Sequence, residues 1–104
     1  MANWYNLNIG IIDYVLPRLK EFKEKNVNSH PAEYKSIEEW HRAIDEMLFA
    51  LNEVRNETEA SRLIDDYMGK RISESEYHTA QDALNVRITK GLELFGRSIP
   101  DLWD

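Results

Sequence analysis

The sequence predicts an all-α fold, a small bundle of three to four helices with the first kinked at a proline. Three observations carry this expectation. Apolar residues recur at helical spacing through most of the chain. Only four glycines and three prolines interrupt its 104 residues. Two Ser-x-x-Glu sequences, Ser36 to Glu39 and Ser73 to Glu76, have the form of capping boxes, in which serine and glutamate side chains satisfy opposite amides at a helix start. No repeat or low-complexity segment divides the chain, so residues 1–104 are expected to form a single helical domain with one modest core.

The first helix is expected to be capped by Asn6 or Asn8 and to run to about Lys25, with Ile9, Ile12, Leu16, Leu19, Lys20 and Phe22 or Lys23 following the helical period. Pro17 lies within it. Proline removes one backbone hydrogen bond and crowds the preceding turn, which predicts a kink and a freed carbonyl near Asp13. The stretch from Asn26 to Pro31 is a polar loop, because the residue before a proline is driven from helical geometry.

The second helix starts at about Ile37. Ile37, Trp40, Ile44, Met47, Leu48, Leu51 and Val54 form a continuous apolar face, opposite one that carries Glu39, Arg42, Glu46 and Glu53. A third segment, from Glu57 to Met68, either continues the second helix or follows it separately, and Gly69 is placed to end it with a left-handed cap. The last helix follows Ser73 and presents Tyr77, Ala80, Leu84, Ile88, Gly91, Leu92 and Phe95, with Pro100 as its stop. Trp103 in the tail is large and apolar, and is expected to dock on the bundle or on a neighbouring subunit.

The net charge of −6 is uneven: from Glu33 to Asp66 acids outnumber bases ten to four, so the excess acid lies mid-chain. Such a chain is a poor general binder of duplex nucleic acid, where affinity comes largely from cations displacing condensed counterions. Local cations could still hold a small phosphate ligand. No run approaches the about 18 apolar residues of a membrane span. The start Met-Ala-Asn-Trp-Tyr also lacks the basic stretch of a signal peptide, so no membrane and a cytoplasmic setting are expected. The absence of cysteine removes disulfides, thiolate nucleophiles and cysteine-bound zinc together.

Little in the sequence supports catalysis. His41 with Asp45, and His78 with Glu74 or Asp82, have a spacing that places two ligands on one helix face, but two ligands seldom make a metal site. Glu38, Glu39, Asp45, Glu46, Glu53 and Glu57 are raw material for an all-α, Mg²⁺-dependent nucleotide pyrophosphatase. Their spacing fits poorly, and Asp65-Asp66 lacks the glutamate that would complete a metal-binding set. No Gly-rich phosphate loop, nucleophile elbow or Cys/His dyad is present, so no catalytic residue, metal or cofactor is expected. The remaining ingredients are aromatic and cationic: Trp4, Tyr5 and Tyr14 near the start, Arg18 and Lys20 on the first helix, Lys90 and Arg97 on the last. Aromatic faces stack bases and cations meet phosphates, so these are the materials of a nucleotide site.

Three stretches, in order, carry a resemblance: Tyr5-Asn-Leu-Asn8 followed by Val15 to Glu24; Glu39 to Leu51; and Lys90 to Arg97 with the terminal Leu-Trp-Asp104. Together they resemble a widespread family of small helical phage proteins that includes anti-CBASS sponges, which sequester the cyclic oligonucleotide signals of a bacterial antiviral system. The residues from Arg55 to Val86 lie outside the resemblance. It implies a binding protein rather than an enzyme, acting in the cytoplasm of the infected bacterial host on a cyclic dinucleotide such as 3′3′-cGAMP. The alternative is an acidic inhibitor of a host protein.

A cyclic dinucleotide needs two phosphate-binding clusters and two stacking surfaces, more than one small bundle readily supplies. A homo-oligomer, a tetramer or otherwise a dimer, with the ligand at a subunit interface, provides each element twice. The first and last helices are the expected walls. On this expectation Tyr5 stacks a base, Asn6 and Asn8 bond base edges or ribose, and Arg18, Lys20 and Arg97 meet phosphates. Trp40, Met47, Leu92, Phe95 and Trp103 are expected to be structural.

Overall fold

Ser36 and Ser73 each stand in extended geometry and open a helix by accepting an amide from the residue three positions on. The computed structural model describes residues 7–102. Four helices follow in order: α1 (Leu7–Lys25), α2 (Ile37–Asn56), α3 (Thr58–Met68) and α4 (Glu74–Ser98), closed by a 3₁₀ turn over Ile99–Asp101 that contains Pro100. The described residues contain no strand, and none of their helices is long and apolar enough to cross a membrane.

The cap at Ser73 is a complete box, since Glu76 Oε1 accepts the Ser73 amide at 2.9 Å while Ser73 Oγ accepts the Glu76 amide at 3.1 Å. At Ser36 the reciprocal half lies one residue further out: Glu39 Oε2 accepts from the Lys35 amide at 2.8 Å. Asn8 sits inside the first turn of α1 rather than before it, and Asn6 lies outside the described residues. Pro17 is inside α1, and the helix runs on either side of it.

The core forms where α1 and α4 both pack on α2. Trp40, Ile44, Met47 and Leu51 from the expected face of α2 are buried, together with Ile12 and Leu19 of α1. Phe22 meets Trp40 edge-on with ring centroids 6.4 Å apart, and Tyr34 from the connecting loop tilts over the same indole at 5.1 Å. The loop is tied to α2 by His41, whose Nε2 lies 2.6 Å from the Asn26 carbonyl. A carbonyl only accepts, so His41 carries its proton on Nε2 in that bond.

The α2–α4 contact is close because small residues meet there. A Cβ on Gly91 would lie 2.5 Å from Ala50 Cβ and 2.6 Å from the Glu46 carbonyl oxygen, so this crossing excludes any side chain. Arg87 bridges the same two helices with a two-pronged bond to Glu46 at 2.8 and 2.9 Å, and its guanidinium lies 3.6 Å from the centre of the Phe49 ring. Lys23 to Asp45 and Arg55 to Asp13, both at 2.7 Å, tie α1 to α2.

Three expectations need correction. Glu53 is buried rather than part of the polar face of α2. Its carboxylate accepts the Glu59 amide at 2.9 Å and so does the capping at the start of α3 that Glu57 does not. Of the two readings left open for α3, the structure shows a helix separate from α2, because Glu57 between them adopts a left-handed backbone with φ 50°. Gly69 has φ −82° and ψ 5°, and the left-handed residue after α3 is Lys70 with φ 59°. Leu92, expected to be structural, is partly exposed; Phe95 packs against the core.

The molecule is a flat plate, 47 × 43 × 20 Å. Its radius of gyration is 16.2 Å, against about 13 Å for a compact domain of this length. A plate this thin leaves apolar side chains uncovered on its helices, on α1 and on α3 above all.

Candidate functional site

α1 and α4 flank α2 without packing on each other, and the space between α1 and the C-terminal end of α4 is a groove of about 980 Å³. Ile11, Tyr14, Val15, Arg18 and Phe22 line it from α1, and Phe95, Ile99 and Leu102 line it from the other side. Lys25, Asn26 and Ser29 close its far end. The volume lies at the upper end of the roughly 300–1,000 Å³ typical of small-molecule sites. The walls are mainly apolar, with charge confined to the α1 side.

The groove exists because α1 carries two apolar lines. Ile12 and Leu19 face α2 and are buried, whereas Leu7, Ile11 and Tyr14 continue round the helix at spacings of four and three and stay exposed. Tyr14 and Arg18 lie one turn apart on that second line. The Arg18 guanidinium sits 3.7 Å from the centre of the Tyr14 ring and donates from Nη1 to the Tyr14 carbonyl at 2.7 Å. A hydrogen bond and a π contact thus hold one planar cation against one aromatic face, which restricts a side chain that would otherwise be mobile.

Glu21 and Lys25, also on the groove, form an ion pair one turn further along. The ammonium of Lys25, by hydrogen bond and by charge, holds the Glu21 carboxyl below its usual range, with a further contribution from Arg18. Lys25 is thereby partly neutralised by Glu21. Arg18 bonds a carbonyl and a ring rather than a carboxylate, so it is the better placed of the two cations to meet an anion.

Of the residues expected to bind nucleotide, Arg18 lies in the groove. Asn8, Lys20 and Arg97 are exposed and do not line it. Lys20 follows Arg18 by two residues, which turns it about 200° round the helix, and it borders a different depression with Lys23, Val27, His41 and Leu48. Tyr5, Asn6 and Trp103 lie outside the described residues. The expected walls, the first and last helices, are those of the groove. Phe22, Lys25, Asn26 and Ser29 join the site without having been expected there, and a sequence signal exists only for Lys25, one turn from Glu21.

The histidines do not assemble a metal site. His41 bonds the loop carbonyl, Asp45 pairs with Lys23, and His78 Nε2 lies 3.7 Å from Glu74 at the exposed start of α4. Among the described residues no three His, Asp or Glu side chains are grouped to hold a metal ion. Compared with protein families, with curated proteins and with solved structures, the chain matches none.

Proposed function

We propose that this protein is a phage immune-evasion factor that binds a cyclic oligonucleotide signal of bacterial antiviral defence, such as 3′3′-cGAMP, and sequesters it without cleaving it. The observation that carries the proposal is the Arg18–Tyr14 pair on the wall of the α1–α4 groove. A guanidinium supplies a planar, permanently charged donor for a phosphate, and an aromatic ring beside it supplies a stacking face for a base. The apolar remainder of the groove suits the faces of purine rings. The order of the three sequence stretches resembling the sponge family supports the same reading.

One groove offers one such pair, and a cyclic dinucleotide carries two phosphates and two bases. The ligand therefore sits where two copies bring their grooves together, in a homo-oligomer, a tetramer before a dimer. Leu7 and Ile11, exposed on the rim line of α1, are the surface such a contact would cover. Sequestration needs stoichiometric capture and slow release, not a general acid, a nucleophile or a metal. The setting proposed is the cytoplasm of the infected bacterium.

Retention and recovery of the nucleotide test this. The protein is mixed with 3′3′-cGAMP, freed of unbound nucleotide, heated, and the supernatant analysed by mass spectrometry. Intact nucleotide in the supernatant is expected. A linearised or hydrolysed product would make the protein an enzyme, and failure to retain any of a panel of cyclic oligonucleotides would overturn the proposal.

A further inference from the structure

The uncovered region on α3 lies away from the groove. This helix packs against α4 and α2 and against no other element, and none of its residues is fully buried. Tyr67 stacks on Tyr77 of α4 at a centroid distance of 4.9 Å with 20° between the rings, and Glu57, Ala60, Leu63 and Ile64 border an open depression against Tyr77, Gln81 and Leu84 of α4. On the solvent-facing rim of that depression Ala60, Ile64 and Met68 recur every four residues along one line of the helix. Ile64 is 48% exposed and Met68 73%. Methionine and isoleucine exposed on the flank of a helical hairpin are a costly surface to leave in water.

The two ends of this strip carry opposite charge. Glu57 stands at the root of α3 and Lys70 just beyond its tip, both in left-handed geometry, and neither makes an ion pair among the described residues. At the rise of a helix they are about 20 Å apart, with Ile64 close to midway. A surface with a cation at one end, an anion at the other and an apolar centre is complementary to itself when turned end for end. Parallel pairing would instead set Lys70 against Lys70 and Glu57 against Glu57.

We infer that this strip binds a second copy of the chain, antiparallel, about a two-fold axis passing near Ile64. The two α3–α4 hairpins then close a four-helix layer. Ile64 meets Ile64 of the partner subunit once, at the axis, while Met68 lies over Ala60 of the partner subunit and Lys70 meets Glu57 of the partner subunit, these two contacts each occurring twice. This surface is remote from the α1–α4 groove and its formation needs no ligand. With the groove contact it supplies the two different two-fold interfaces that a tetramer of dihedral symmetry requires.

The absence of cysteine allows a direct test in the full-length chain. Ile64→Cys, at the axis, is expected to form a disulfide-linked dimer on mild oxidation at least about tenfold faster than Arg62→Cys, which lies on the opposite side of α3. Sedimentation without nucleotide is expected to show wild type as a dimer or tetramer and Met68→Glu at half that mass. Lys70→Glu is expected to weaken the association, and Lys70→Glu combined with Glu57→Lys to restore it. Met68, Lys70 and Glu57 are exposed, and an unchanged circular dichroism spectrum verifies that each variant folds. A monomeric wild type at about 100 µM, an unchanged mass for Met68→Glu, or equal cross-linking at positions 62 and 64 would overturn the inference. None of these outcomes touches nucleotide binding.

Discussion

The Glu53 carboxylate, inside the joint between α2 and α3, accepts the backbone amide of Glu59 at 2.9 Å through one oxygen and at 3.2 Å through the other. The chain turns at Glu57, whose side chain makes no cap bond, so a residue from the preceding helix satisfies the start of α3. Removing that acceptor strands an amide at a helix N-terminus. Glu53→Ala is expected to cost about 1–2 kcal/mol of stability, with Glu53→Gln losing less because its amide oxygen still accepts. Urea denaturation followed by circular dichroism measures both, and equal stability of Glu53→Ala and wild type would show that the bond does not hold the joint.

Gly91 has no room for a methyl group at the α2–α4 crossing, where the obstacles are Ala50 and the backbone of Glu46. Neither is the end of a flexible chain that could move aside. Gly91→Ala gains helix propensity of up to about 1 kcal/mol, yet overpacking is expected to prevail and leave a net loss of about 1–2 kcal/mol. Gly96 is the comparison, because a methyl group added there would meet only open space. Gly96→Ala is expected to raise the thermal midpoint, and a fall would show that helix propensity does not govern that position.

Acid is expected to weaken the fold through Glu46. Its hydrogen bond with Arg87 holds its pKa below the ordinary 4.5. A carboxylate depressed in the folded state contributes stability above its unfolded pKa, and loses it as pH falls through the lower folded value. The capping carboxylate of Glu76, lowered by the Ser73 amide, acts in the same direction. Denaturation midpoints are expected to fall from about pH 5 downward, and to fall less in Glu46→Gln. Glu76 is exposed and Glu46 half-exposed, so added salt is expected to shrink the Glu46 contribution.

The helices are legible in the sequence because their causes are local. Serine followed three residues later by glutamate locates the starts of α2 and α4, and the period of Trp40, Ile44, Met47 and Leu51 identifies the buried face. Glu53 escapes that reading because periodicity records charge, whereas its burial depends on a left-handed Glu57 folding α3 back over it. Propensity points to Gly69 for the left-handed residue after α3. The backbone places it on Lys70, where the strain of a side chain is tolerated at an exposed turn.

The candidate site is legible in part. Tyr14 and Arg18 are one turn apart, a spacing that sequence alone can read, and the structure joins them. The same rule separates Arg18 from Lys20, since two residues on a helix face opposite flanks. The groove itself has no local signal. It arises from the distance α2 keeps between α1 and α4, and from a plate too thin to cover both lines of α1.

The binding of 3′3′-cGAMP to wild type and to Arg18→Ala, by titration calorimetry in the same buffer, tests the central claim most directly. Wild type is expected to bind stoichiometrically, and Arg18→Ala to lose at least about tenfold in affinity, the weight of one charge-assisted hydrogen bond. A wild type that releases no heat with this or any other cyclic oligonucleotide, or an Arg18→Ala variant that binds as wild type does, would contradict it.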